Sequence, residues 1–568
     1  MKKTVWPVFF VLISGWMLAL SAADRVAGPM HKHRSEVIAA RGMVATSHPL
    51  AAQIGLDILK SGGNAVDAAI AVNAALGLME PTGSGVGGDL FAIVWDAKSQ
   101  KLYGLNSSGP APERLTLQIF RDQGLAKVPV LGPLPWTVPG CVGGWQALHK
   151  RFGRMALPKV LAPAIHYARA GVPLPELIAF YWARSVAAFK GYENFQALYA
   201  PGGVCPKKGD IFKNPLLAAT LEKIAASGGE AFYRGEIAQA MVAYSDKVGG
   251  YFSLEDFKRY QAEWVDPIGV RYRGYDVWEL PPNGQGLAAL QMLNMLEEFD
   301  LKTLGRDGAE LMHTLIEVKK LAFEDRARFY ADPRMAHIPQ ETLLSKAYAQ
   351  KRLKLFNNKR AAREIPPDPA LLEHGGTVYL TVVDAERNAV SLIQSNYFGF
   401  GSGMVPDGLG FCLQDRGAGF ALDESHPNCL APGKRPFHTI IPAFVTRNNR
   451  PVFSFGVMGG AMQPQGHVQV LVNLLDFGMD PQAAGDYPRF RHDGSTEPDG
   501  GAVMKDGGEV LLESGFSMEM IRELLARGHR IRFDRGGYGG YQGIWIDEDQ
   551  NVLRGGSESR SDGAVVGW

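Results

Sequence analysis

A mixed α/β (α+β) fold is what this 568-residue sequence predicts. Three observations carry the expectation. Residues 65–78 read AVDAAIAVNAALGL, nearly all small or apolar, which suits a helix buried on most sides and closely approached by its neighbours. Residues 377–383 and 389–395 are strand-like runs joined by the polar turn Ala385-Glu386-Arg387-Asn388, the pattern of an antiparallel hairpin. Helical and strand-like patterns alternate along the rest of the chain, which is long enough for about three or four ordinary domains or one large unit. With 59 basic and 58 acidic side chains the net charge is +1, so no basic surface points to nucleic acid or an anionic membrane as partner.

Taken in order, the chain opens on Lys2 and Lys3, an apolar run to about Leu20, and the small residues Ser21, Ala22 and Ala23. That is the layout of a secretory signal ending after Ala23, and the run is short for a membrane anchor. A soluble periplasmic or secreted protein follows from it. Residues 24–48 read as a polar surface segment, and 49–60 as a short helix ended by Ser61-Gly62-Gly63-Asn64. The buried helix stops at Glu80-Pro81. The loop Thr82-Gly83-Ser84-Gly85-Val86-Gly87-Gly88-Asp89 leads into a strand, the wrong order for a dinucleotide fingerprint, so it reads as tight backbone packing beside a pocket. Helical patterning covers 142–170 with an interruption at Pro158. A strand pair at 268–272 and 275–280 precedes the turn Pro281-Pro282-Asn283-Gly284-Gln285-Gly286, then helices at 287–296 and 310–327.

Residues 345–376 change character: basic side chains are dense from Lys351 to Arg363, followed by Pro366, Pro367 and Pro369. This reads as an exposed linker. It runs directly into the 377–383 strand, an odd position for the threonine at its head unless the connection is severed, with an ordinary interdomain linker the alternative. Strands at 440–447 and 452–457 and a helix at 465–475 follow. Cys141, Cys205, Cys412 and Cys429 lack metal or redox spacing; Cys412 and Cys429 are close enough in sequence for a disulfide, with buried thiols the alternative.

The motifs GGNAVDAAIAVNAALGLMEP (62–81), SGVGGDLF (84–91), PPNGQG (281–286), GGTVYLTVVDAERNAVS (375–391), FGSG (400–403), KRPFHTIIPA (434–443) and GVMGG (456–460) together resemble the gamma-glutamyltransferase (glutathione hydrolase proenzyme) family of N-terminal nucleophile hydrolases. The resemblance implies a four-layer αββα sandwich. It also implies self-cleavage between Gly376 and Thr377, giving a large subunit 24–376 and a small subunit 377–568 that stay intertwined as a heterodimer. Thr377 would be the nucleophile, with its own freed α-amine as base, so that no Ser-His-Asp triad is needed. Ser395 would orient it, and backbone N–H groups of Gly459 and Gly460 would form the oxyanion site. The implied activity is cleavage of γ-glutamyl amides with transfer to water, an amino acid or a dipeptide, without metal or organic cofactor.

The family's clamp for the glutamyl α-carboxylate and α-ammonium falls on Ser108, Tyr397, Gly419, His438 and Thr439 here. The clamp's arginine and aspartate are both missing, with Asp415 and Arg416 the charged residues near enough to substitute. A glutaryl-amide (cephalosporin) acylase-like amidohydrolase is therefore the alternative. A non-catalytic secreted binding protein on the same fold is a third possibility.

Overall fold

The computed structural model describes residues 34–365, 376–500 and 504–568. The expected signal, 1–23, and the proline-rich stretch before Gly376 lie outside these. Six elements position the site: α1 (Pro49–Lys60), α2 (Ala65–Met79), β1 (Asp89–Asp96), β2 (Gly376–Val383), β3 (Ala389–Tyr397) and β4 (Arg450–Met458).

Local chemistry explains their starts. His48 caps α1 by accepting from the Leu50 N–H through Nδ1 at 3.2 Å, and Pro49 fills a first-turn position that has no intrahelical partner for an N–H. Asn64 and Asp67 form a reciprocal capping box at α2. Within α2 every residue but Gly77 is buried, and a Cβ at Gly77 would lie 3.3 Å from the Gly85 Cα. Small residues therefore let the glycine-rich loop seat directly on the helix.

Among the described residues two seven-stranded sheets stack face to face, with antiparallel pairing throughout. The first runs Ala564–Gly567, Met43–Thr46, β2, β3, β1, Lys101–Ser107, Glu263–Val265. The second runs Val37–Ala39, Val552–Ser557, Gly540–Asp547, β4, Ala443–Arg447, Tyr275–Glu279, Ile268–Tyr272. Period-two alternation sorts β2 cleanly. Val378, Leu380 and Val382 join the core under α1 and α2, while Tyr379 and Val383 join Phe91, Ile93, Phe444 and Ile544 between the sheets. A third core lies outside the second sheet, where helices Gly286–Leu296 and Ala309–Phe329 cover Val277, Val445, Phe455 and Val457. Three cores separated by two sheets make the αββα stack that the resemblance implies.

Several expectations need correction. Residues 34–48 are not a surface tether: Met43–Thr46 is fully buried beside β2, and Val37–Ala39 edges the other sheet. The reading of 345–376 as an exposed linker fails for 345–365, and 366–375 lie outside the described residues. Lys346–Leu353 is a helix capped by Ser345 and anchored by the Tyr348 hydroxyl on Asp325 at 2.9 Å, and Ala361 and Ile365 are buried. Dense charge concealed this packing, because long basic side chains lay their stems on apolar surface. The interruption near Pro158 is a break between helices Cys141–Phe152 and Leu157–Ala170, with Pro158 opening the second. All four cysteines are free thiols, so Cys412 and Cys429 are not joined.

Candidate active site

Thr377 stands at the head of β2, buried. What lies across from it follows from contacts between the sheets. Thr381 Oγ1 meets Ser454 Oγ of β4 at 2.6 Å, and Gly456 sits under the Tyr379 ring, where a Cβ would come within 2.4 Å of a ring carbon. Further along, β4 ends at Met458, directly before Gly459 and Gly460. That glycine pair has φ of +124° and +59°, a backbone conformation that β-carbons resist. Their carbonyls accept from the Met462 and Gln463 N–H groups at 3.0 and 3.2 Å, which starts helix Met462–Leu471. Gln285 Nε2 donates to the Gly460 and Thr439 carbonyls at 2.8 and 2.6 Å, and its Oε1 accepts from Arg326 Nη1 at 2.7 Å. The turn is thus fixed by a buried amide that is itself fixed by a buried guanidinium.

Ser395, on β3, brings its hydroxyl to 3.3 Å from Thr377 Oγ1. It accepts from the Tyr397 N–H at 2.8 Å and from Arg416 Nη2 at 3.1 Å. Arg416 Nη1 also donates to Thr439 Oγ1 at 2.9 Å, and the guanidinium lies 4.1 Å from the Tyr397 ring centroid. Tyr397 has φ of +82°, unusual for a bulky residue, and its side chain also packs on Phe398 at 4.3 Å. Arg416 is fully buried, and burial lowers its pKa to about 10, so it stays charged at neutral pH.

The other candidate residues lie in a separate polar network. His438 Nε2 donates to Asp89 Oδ2 at 3.1 Å, and its ring packs on Phe91 at 4.7 Å. Burial, with Arg416 and Arg435 nearby, holds the imidazole well below its usual pKa, so it is neutral. Asp89 Oδ1 accepts from the Gly109 and Gly140 N–H groups and from Gln414 Nε2 at 3.1, 3.0 and 2.9 Å. Burial pushes its carboxyl up to about 7 against those bonds. Ser108 is buried between Asn106 Oδ1 at 2.7 Å and Asn283 Nδ2 at 3.2 Å. Gly419 is closed in by the Phe437 carbonyl, 2.8 Å from where a Cβ would sit, and its own carbonyl accepts from Asn428 Nδ2 at 2.6 Å.

The structure therefore brings Thr377, Ser395, Tyr397 and Thr439 together through Arg416. Ser108 and His438 have their side-chain hydrogen-bonding atoms engaged by protein, and the Gly419 carbonyl is taken by Asn428. Asp89 and Gln414 were not singled out from sequence. The one available signal was an acidic residue closing a glycine-rich loop at a strand's mouth, where loop N–H groups need an acceptor. His313, Glu317 and His529 come close enough for a metal, yet the imidazoles bond each other at 2.7 Å and Glu317 holds Lys320 at 2.7 Å. That donor set is already engaged.

A family model, Gamma-glutamyltranspeptidase, matches residues 51–568. A glutathione hydrolase-like YwrD proenzyme of Bacillus subtilis (strain 168) is 36% identical over 541 residues, 94% of this chain and 99% of that one. The glutathione hydrolase proenzyme of Escherichia coli (strain K12) is 32% identical over 551 residues, covering 94% and 93%. Among solved structures, the cephalosporin acylase from Bacillus halodurans matches with a TM-score of 0.88 at 44% identity, over 96% of this chain and 99% of that one. The chain belongs to the gamma-glutamyltranspeptidase family.

Proposed function

We propose that this chain is a self-processing amidohydrolase that cleaves itself before Thr377 and then uses the freed N-terminal threonine on acyl amides. The observation that carries the reading is the meeting of Thr377 Oγ1 and Ser395 Oγ at 3.3 Å at the head of β2. In the processing step Thr377 Oγ1 attacks the Gly376 carbonyl carbon, the peptide C–N bond breaks to leave an ester, and water hydrolyses it. The α-amine is then free. With a pKa of about 7.7–8.0 it is partly neutral near pH 7 and takes the hydroxyl proton during attack on a substrate carbonyl. The tetrahedral oxyanion is met by the Gly459 and Gly460 N–H groups, each donor of this kind being worth about 10²–10³ in rate. Collapse expels the amine, which takes the proton back, and water or an acceptor amine releases the acyl group. An export signal at 1–23 would deliver the heterodimer to the periplasm or the exterior.

The acylase-like specificity fits the site better than the γ-glutamyl one. An α-ammonium needs a facing carboxylate, and Gly419 supplies none, while Ser108 and His438 are engaged elsewhere. The likeness to a cephalosporin acylase agrees with this; the glutathione hydrolase relatives keep the γ-glutamyl reading as its rival. Purified protein offered glutaryl amides, aromatic acyl amides and glutathione tests the choice. Turnover of acyl amides lacking an α-amine is expected, and efficient release of glutamate from glutathione would reverse the assignment.

A further inference from the structure

We propose that Arg416 is the specificity-determining residue of this site and receives a carboxylate carried on the acyl part of the substrate. The inference rests on the amidohydrolase reading and names its substrate class: monoamides of short dicarboxylic acids, glutaryl amides being a simple case. Three observations carry it. The guanidinium is fully buried, and its bonds from Nη1 and Nη2 go to the neutral hydroxyls of Thr439 and Ser395. Its Nε is buried without a hydrogen-bond partner among the described residues. The nearby carboxylates make no hydrogen bond to it: Asp89 bonds Gly109, Gly140, Gln414 and His438, and Asp415 Oδ1 accepts from the Phe398 N–H at 3.1 Å while its Oδ2 is buried without a partner among the described residues.

A buried guanidinium N–H without an acceptor is costly, and the cost is removed by an anion delivered to it. The position suits a substrate tail. Ser395 Oγ is the one atom between Arg416 Nη2 and Thr377 Oγ1, so an acyl carbonyl at the nucleophile places its chain within a few bonds of the guanidinium. Tyr397 covers one face of that guanidinium, leaving its edge for planar, bidentate recognition.

The test compares kcat/KM of the processed enzyme for glutaryl and pentanoyl p-nitroanilides, equal in chain length and different in charge. Wild type is expected to favour the glutaryl amide by at least about tenfold, since a site built for a polar group discriminates strongly against its absence. In Arg416→Gln the ratio should fall to within about threefold of one, whatever happens to the absolute rates, and Arg416→Lys should retain part of the preference. Competitive inhibition by free glutarate but not pentanoate gives the same reading without a variant. A wild-type ratio near one, or a ratio unchanged in a folded Arg416→Gln protein, overturns the proposal while leaving the amidohydrolase reading intact. If neither anilide nor any other acyl amide is cleaved, the reading itself fails.

Discussion

At the scale of single residues, the hydroxyl of Ser395 is the most economical point to perturb. It touches Thr377 Oγ1, the Tyr397 N–H and Arg416 Nη2 together. Ser395→Ala should leave those three donors facing a methyl group and release the nucleophile's rotamer, lowering kcat by about 10- to 100-fold. Ser395→Thr keeps the oxygen and should recover most of the rate; equal loss in both variants would show that the hydroxyl does not matter. Thr377 and the glycine pair 459–460 were singled out through short motifs that resemble the family's, GGTVYLTVVD and GVMGG. Arg416 was visible only as a nearby charge. Its partners Ser395 and Thr439 lie about twenty residues to either side, and no local pattern says that three such segments converge. Asp89 is a stronger case, since its ligands come from residues 109, 140, 414 and 438.

At the scale of elements, the end of α2 carries a buried acid. Glu80 follows α2 and accepts from Ser47 Oγ at 2.6 Å, and burial pushes its carboxyl up from 4.5 to about 7. A raised carboxyl pKa means the folded state holds the proton more tightly than the unfolded chain. The contribution to stability is full below the unfolded pKa and is lost as pH rises toward about 7. Glu80→Gln stays neutral, so its unfolding free energy relative to wild type should improve between pH 5 and pH 8, by no more than about 3 kcal/mol. A difference independent of pH would refute the assignment. The contact between the sheets is equally specific. Gly456→Ala drives a methyl into the Tyr379 ring and should destabilise by about 1–3 kcal/mol with a lowered Tm; an unchanged Tm would mean that the sheets are not in this register. The hairpin strands were legible as two strand-like runs about a polar turn, and α2 from its unbroken small and apolar composition. Strand Met43–Thr46 was not, since its four residues are too short for alternation to register beside a polar stretch.

At the scale of the whole molecule, the fold holds together without covalent cross-links. The four cysteines are free, Cys141 and Cys412 fully enclosed, so unfolded protein should titrate four thiols and reductant should leave Tm unchanged. A Tm lowered by reductant would reveal a disulfide that this structure lacks. The layered architecture came from resemblance, because single elements do not say which faces meet. The three separate cores explain it physically: each sheet has apolar residues on both faces and needs a covering layer on each. Such a scaffold can tolerate a cut between residues 376 and 377, because β2 stays paired on both sides, with Met43–Thr46 and with β3.

That cut is the central claim, and intact-mass measurement of wild type beside Thr377→Ala tests it most directly. Wild type should give two chains, the smaller beginning at Thr377, and the variant one uncut chain without amidase activity. A Thr377→Ala protein still severed at that bond, or a wild type that is active while uncut, would contradict the account.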